Sequence, residues 1–165
     1  MNEIFKRRSI RRFEPRPVEP EKIQRILRAT MAAPSAGNQR PWEFYVVRRP
    51  ETIAELARSH QYAGCAAGAP AVIVPCLKTA GLRFPELGEI DLAIATENIL
   101  LEITAQGLGG VWLGIAPVAE RIEKVDAILG LGDDLHAFAL VPLGYPAETP
   151  AERDSFDPAR IHYLD

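Results

Sequence analysis

Cysteine is scarce in this 165-residue sequence, with only Cys65 and Cys76. Their spacing is neither CxxC nor that of a zinc-ligand pair, so no disulfide framework or redox pair is expected, and both are read as reduced, buried filler. Histidine is equally thin: His60, His136 and His162 are dispersed, with no HxxxH or His/Cys cluster, and no metal site is expected. No GxSxG and no Ser/His/Asp pattern surrounds Ser9 or Ser35, which argues against a hydrolase nucleophile. Glu97 and Glu102 do not share a helix face closely enough to form a carboxylate pair. No apolar run reaches the roughly 18 residues a membrane helix needs. No apolar stretch follows the charged N-terminus, so no secretory signal is expected and the cytoplasm is the default location. What is present, 47% hydrophobic and 25% charged residues, is ordinary globular composition, enough for one domain with a sizeable core.

The pattern of apolar residues assigns the elements. "NEIFKRR" reads as a short helix with Asn2 as N-cap. "PEKIQRILRATMAAP" places Ile23, Ile26, Leu27, Thr30 and Met31 on one helical face between Pro20, in the first turn, and Pro34. "WEFYVVR" reads as a strand, "PETIAELARSH" as a helix, and "AVIVPCL" as a continuously apolar strand internal to a sheet. From Glu86 to about Leu108 runs a long helix, apolar nearly all round, which must be covered by its own domain or by a second subunit. "GGVWLGI" and "HAFALVPLGY" read as strands on either side of the helix "VAERIEKVDAIL". The polar, Pro-rich residues 146–165 read as a C-terminal arm. Together these elements predict an α+β or α/β sandwich with a core sheet, occupying 1–165 as one domain. Trp42 and Trp112 are read as core anchors.

Charge is distributed unevenly. "KRRSIRRFEPRPV", residues 6–18, holds six of the nineteen Lys and Arg and one of the twenty-two Asp and Glu, leaving thirteen against twenty-one elsewhere. So local an excess fits a small anion held at one place. Ser9 between arginine pairs is the combination that wraps a phosphate, since Arg supplies forked donors and Ser a short neutral one. The plain alternative is a solvated surface. A nucleic-acid module is a further alternative, but a chain of net charge −3 and pI about 5.7 would repel a polyanion away from this one patch, and the segment lacks interleaved aromatics. "APSAGNQRPWEF", residues 33–44, adds a turn of small residues where backbone can approach a flat ligand closely. "GLGGVWLG" is rich in glycine, but Trp112 stands where a GxGxxG would end, so no dinucleotide fingerprint is present.

The motifs "RRSIRRFEPRPV", "APSAGNQRPWEF", "ATENILLEITAQGLGGVWLGI", "LVPLGYPAE" and "FDPARIHY" together resemble the FMN-dependent nitroreductases in their short form, nearly end to end. The resemblance implies an α+β sandwich, with a mixed central sheet flanked by helices, in a homodimer interlocked around the long helix, with FMN in interfacial sites and no membrane or nucleic-acid partner. By position, Arg7, Arg8 and Ser9 match the phosphate- and ribityl-binding motif, and Arg11 the basic residue under the pyrimidine end of the flavin. Pro34, Ser35, Ala36 and Asn38 match the loop lent by the other subunit. Leu113 and Gly114 match the segment whose backbone N–H reaches flavin N5 and O4, and Arg160 a C-terminal residue closing on the phosphate. Arg11 and Gly114 are thus the residues expected to act in catalysis. Arg12 and Arg16 have no counterpart and are read as surface.

The activity this implies is ping-pong hydride transfer from NAD(P)H through FMN to a nitroaromatic, quinone or similar small acceptor. Specialised members of the same fold that dehalogenate or fragment flavin are the alternatives. The chain is short, and residues 63–85 contain no excursion to cover the flavin's open face, which leaves the acceptor open.

Overall fold

The computed structural model describes residues 3–151 and 154–164, so the expected N-cap Asn2 lies outside the described residues. Helix α1 (Glu3–Lys6) is followed by α2 (Pro20–Met31), whose first turn holds Pro20 and Glu21 and whose last turn holds Arg28, each suited to its end of the helix dipole. Ile23, Ile26 and Thr30 face inward as the period predicts, whereas Met31, expected on the same face, is exposed. It is the last residue of the helix, where the chain turns toward Pro34.

Strand β1 (Trp42–Val47), helix α3 (Pro50–Leu56) and strand β2 (Ala71–Lys78) follow. Strand β2 is internal, as its unbroken apolar run predicts, and pairs antiparallel with β1, β5 (Leu135–Ala137) and β6 (Ala139–Gly144). Its side chains alternate between two cores. Val72, Val74 and Cys76 pack with Ile53 and Leu56 of α3 and Val125 of α5 (Ala119–Leu129), while Ala71 and Ile73 pack with Ile23 and Ile26 of α2 and Ile99, Leu100 and Ile103 of α4 (Gly88–Ala105). The sheet therefore lies between two helical layers. Cys76 is buried as expected, but Cys65 is only half-buried, packed at the margin of the α3/α5 core.

Two segments expected as single strands are interrupted, and both interruptions have a local cause. Residues 109–114 form β3 (Gly109–Gly110) and β4 (Leu113–Gly114), which pair with β6 in one continuous register. The gap between them faces Pro142, which has no N–H to give to the ladder, although its carbonyl still accepts from Val111 N at 3.3 Å. Between β5 and β6 the register against β2 slips by one residue at Phe138, a bulge. The Phe138 carbonyl accepts from both Ile115 N (3.2 Å) and Ala116 N (3.0 Å). All ladders are antiparallel, and the expected mixed character rests on one parallel bridge, Ser9 to Gly110.

Helix α4 is apolar nearly all round for two separate reasons. Its inner face is core, and its outer face carries Ile90, 56% exposed, and Ile94, 39% exposed; Ile4 and Phe5 of α1, which also contacts α4, are open as well.

Candidate functional site

The basic segment lies along β3 as an extended chain. Ile10 N donates to Gly110 O at 3.0 Å, and the Ile10 side chain is buried. A Cβ on Gly109 would sit 2.6 Å from Ile10 Cγ1, so a glycine is required there for the segment to dock. Gly109 and Gly110 of "GLGGVWLG" thus serve strand packing, and Gly107 (φ 70°) lets the chain leave the end of α4. Because neighbours in an extended chain alternate, inserting Ile10 turns Ser9 and Arg11 away from the core.

The cations of this segment differ in what already holds them. Arg7 Nε is 3.4 Å from Glu97 Oε1 on α4. Arg8 Nη1 donates to the carbonyls of Phe5 (2.7 Å) and Arg7 (2.8 Å), and its Nε to Ala151 O (3.3 Å). Arg12 pairs with Glu148 at 3.0 Å, and Arg16 with Glu19 at 3.2 Å while stacking 3.8 Å over the Tyr145 ring. Among the described residues, the Ser9 hydroxyl and the Arg11 guanidinium have no hydrogen-bond or ion-pair partner. Ser9 and Arg11 lie two apart on the extended chain, so they present a neutral donor and an unpaired cation on the same side.

The small-residue loop is built differently. Gly37 (φ 53°), Asn38 (φ 56°) and Arg40 (φ 46°) all occupy the left-handed region, which disfavours side chains. Backbone strain of this kind persists only where the surroundings over-determine it. Here the buried Asp91 carboxylate on α4 accepts from Ala36 N (2.9 Å) and Gln39 Nε2 (2.8 Å). The Gln39 amide in turn brackets the Phe84 backbone, donating to its carbonyl and accepting from its N–H, both at 3.0 Å. Arg40 N donates to Ser35 Oγ at 2.9 Å. Gly37→Ala is expected to destabilise the protein by about 1–3 kcal/mol, since a methyl there combines positive φ with a contact 2.7 Å from the Phe84 ring. A lowered urea midpoint at unchanged slope checks this, and an unshifted midpoint would show that Phe84 gives way freely.

Leu113 and Gly114 form β4, opposite Leu140 and Ala139. The Gly114 carbonyl accepts from Arg121 Nη1 on α5 at 2.9 Å, so this short strand is held from a second side. Trp112 packs edge-on against Phe138, ring centroids 5.5 Å apart, consistent with an anchor. Arg160 lies in the exposed arm and pairs with Asp157 at 3.1 Å.

The structure thus brings Arg7, Arg8, Ser9 and Arg11 together along β3, whose chain continues directly to Leu113 and Gly114. Among the described residues, no hydrogen bond joins residues 34–38 or Arg160 to that segment within one chain. Four supporting residues were not singled out by the sequence: Gln39, Asp91, Arg121 and Glu148. Gln39 and Glu148 stand inside motifs already conspicuous, and Asp91 is an acid in an otherwise apolar helix. Arg121 carries no sequence signal. Glu148 lies below the usual carboxylate range because the Arg11 N–H and then the Arg12 side chain donate to it. Burial raises the Cys65 thiol, with Arg11 opposing.

The donor set fits a phosphate-bearing, flat-ringed cofactor. A short hydroxyl and an uncommitted guanidinium share one strand with two further arginines, and small-residue backbone is held rigidly in a loop elsewhere on the surface. Among the described residues no group of three or more His, Cys, Asp or Glu is placed to hold a metal ion, and no helix is long and apolar enough to cross a membrane.

Comparison with known proteins points to one family. The sequence matches the family described as "Nitroreductase family" over residues 4–62 and 58–145. A protein of Methanothermobacter thermautotrophicus named "Putative NADH dehydrogenase/NAD(P)H nitroreductase" is 41% identical over 159 residues, which span 96% of this chain and 83% of the relative. Among solved structures, a "Putative NADH Oxidase" of Clostridium acetobutylicum superposes with a TM-score of 0.96 at 41% identity, covering 99% of both chains. An "FMN-dependent Nitroreductase" of Clostridium difficile superposes with a TM-score of 0.92 at 25% identity, covering 99% of this chain and 98% of the other.

Proposed function

Since the chain belongs to the nitroreductase family, we propose that it is an FMN-dependent oxidoreductase that takes hydride from NAD(P)H and delivers it to a small electron-poor acceptor such as a nitroaromatic or a quinone. The observation that carries this reading is the pairing of an uncommitted Ser9 hydroxyl with an uncommitted Arg11 guanidinium, on a strand pinned to Gly110. The same observation weighs against a polyanion surface, because Arg12 and Arg16 are already paired with Glu148 and Glu19 within the chain.

When bound, FMN supplies the hydride chemistry, and the protein supplies position and electrostatics. In this reading Ser9, Arg7 and Arg8 hold the phosphate. Arg7 does so while sharing its charge with Glu97, 3.4 Å away, which fixes the guanidinium in direction. Arg11 sets a positive charge at the pyrimidine end. The backbone of Gly114, steadied by Arg121 on its carbonyl, offers an N–H toward N5 at no side-chain entropy cost. Residues 34–38, held by Asp91 and Gln39, close the site of the partner subunit, and Arg160 closes on the phosphate from the arm. Residues 1–165 act as one domain with 146–165 as that arm. Donor and acceptor use the same space in turn, which gives ping-pong kinetics.

The experiment is an absorbance spectrum of the purified protein, followed by mixing with NADH and with NADPH. A yellow protein whose visible bands bleach on mixing is expected. A colourless protein that takes up no added FMN would refute the reading.

A further inference from the structure

The basic segment is zippered to the start of the C-terminal arm. Glu14 N donates to Tyr145 O (2.8 Å), Ala147 N donates to Arg12 O (2.9 Å), and Phe13 bridges Pro146. Arg8 Nε reaches Ala151 O at 3.3 Å. At the centre of this zipper one carboxylate oxygen, Glu148 Oε1, accepts from two successive backbone N–H groups, Arg11 N at 2.5 Å and Arg12 N at 3.1 Å. The other oxygen, Oε2, takes the Arg12 guanidinium at 3.0 Å. The Glu148 side chain is 19% exposed, against 73% for Arg12, so the carboxylate is the sheltered partner.

This arrangement separates two adjacent arginines. The carboxylate spends its charge on the Arg12 side chain and on main-chain donors, and it leaves the Arg11 guanidinium without an anionic partner. It also fixes the Arg11 backbone between the Ile10–Gly110 bond on one side and the Arg12–Ala147 bond and Phe13–Pro146 bridge on the other. Two backbone N–H groups on an exposed segment would otherwise face water and leave that stretch free to rotate. Fixing it matters because a cation acts on a bound ring only when held in place beforehand.

We propose that Glu148 is a positioning residue for the cofactor: it aims Arg11 by capping the Arg11 and Arg12 N–H groups, while neutralising Arg12 and sparing Arg11. This rests on the FMN reading above. Capping by an acceptor oxygen, not the exposed ion pair, is the effective part, so the two substitutions at this position should separate. Glu148→Gln keeps an oxygen for the two N–H groups and should leave the flavin potential near that of wild type, whereas Glu148→Ala should shift it toward that of Arg11→Gln, both variants still holding FMN.

The test is titration of apo-protein with FMN by fluorescence quenching, and redox titration at saturating FMN, for wild type, Glu148→Ala, Glu148→Gln, Arg11→Gln and the double variant Glu148→Ala/Arg11→Gln. Thermal midpoints check that each is folded. If Glu148 works through Arg11, Glu148→Ala shifts the flavin potential in the same direction as Arg11→Gln, and the double variant shifts it no further. Additive shifts, or a Glu148→Ala protein with the wild-type potential, would overturn the positioning role and leave the enzyme reading standing. Equal shifts in the Ala and Gln variants would overturn the capping argument in favour of the ion pair. A wild-type protein that binds no FMN would overturn both readings together.

Discussion

Replacing Arg11 with Gln is expected to leave FMN bound and make it harder to reduce. Gln keeps a hydrogen-bond donor of similar reach and removes only the charge, so the phosphate contacts proposed for Arg7, Arg8 and Ser9 are untouched. Reduction places negative charge at the N1–O2 end of the ring, and a fixed guanidinium there stabilises the reduced state more than the oxidised one. Arg11 is the one arginine of "RRSIRR" whose guanidinium has no partner among the described residues, so none of its charge is cancelled beforehand. Reduction by NAD(P)H should slow by about 10², the usual cost of removing one pre-placed donor from developing charge. Arg11 is exposed in the single chain, and salt screening would shrink the effect if it stayed so; the loss therefore also reports how well the closed site excludes water. Redox titration on fully loaded protein and single-turnover reduction measure the two effects. Arg28→Gln, on the exposed side of α2, should change neither. Equal potentials for wild type and Arg11→Gln would place Arg11 at the phosphate or on the surface instead.

The sequence reveals types of residue more readily than their commitments. Strand β2 is legible because eight apolar-rich residues without polar alternation can only be interior, and it pairs with three other strands. The slip at Phe138 was not legible, because "HAFALVPLGY" has the same composition whether or not one residue is extra; only the ladder against β2 reveals it. The break between β3 and β4 could have been foreseen from Pro142, but only by knowing which strand Val111 faces. The same limit applies to the site. "RRSIRR" announces an anion, yet which of its arginines remain uncommitted depends on Glu97 and Glu148, 90 and 136 residues from their arginine partners. The loop at 34–38 reads as an open turn, while its rigidity comes from Asp91, 55 residues from Ala36.

The dimer offers the second large effect, because the cofactor reading needs residues 34–38 from another chain. The outer face of α4 is where that chain is expected to sit. Ile90 and Ile94 are one helical turn apart, 56% and 39% exposed, and Ile4 and Phe5 of the adjoining α1 are 53% and 75% exposed. A helix as apolar as α4 does not leave such a stripe to water without a partner. In a two-fold interface each residue is counted twice, so placing Glu at both isoleucines disturbs four positions. Each isoleucine is already about half-buried in the single chain, so the remaining burial is worth roughly half of the usual 1.5–3 kcal/mol. Ile90→Glu/Ile94→Glu should therefore cost the dimer about 3–6 kcal/mol, or two to four orders of magnitude in dissociation constant. The fold should survive, since neither side chain belongs to the two main cores. Sedimentation velocity over a dilution series should show wild-type dimer and variant monomer at micromolar concentration, with the variant losing FMN on gel filtration although its phosphate-binding residues are intact. A wild-type monomer that retains one FMN per chain would refute the shared site, and a variant that stays dimeric would place the interface elsewhere.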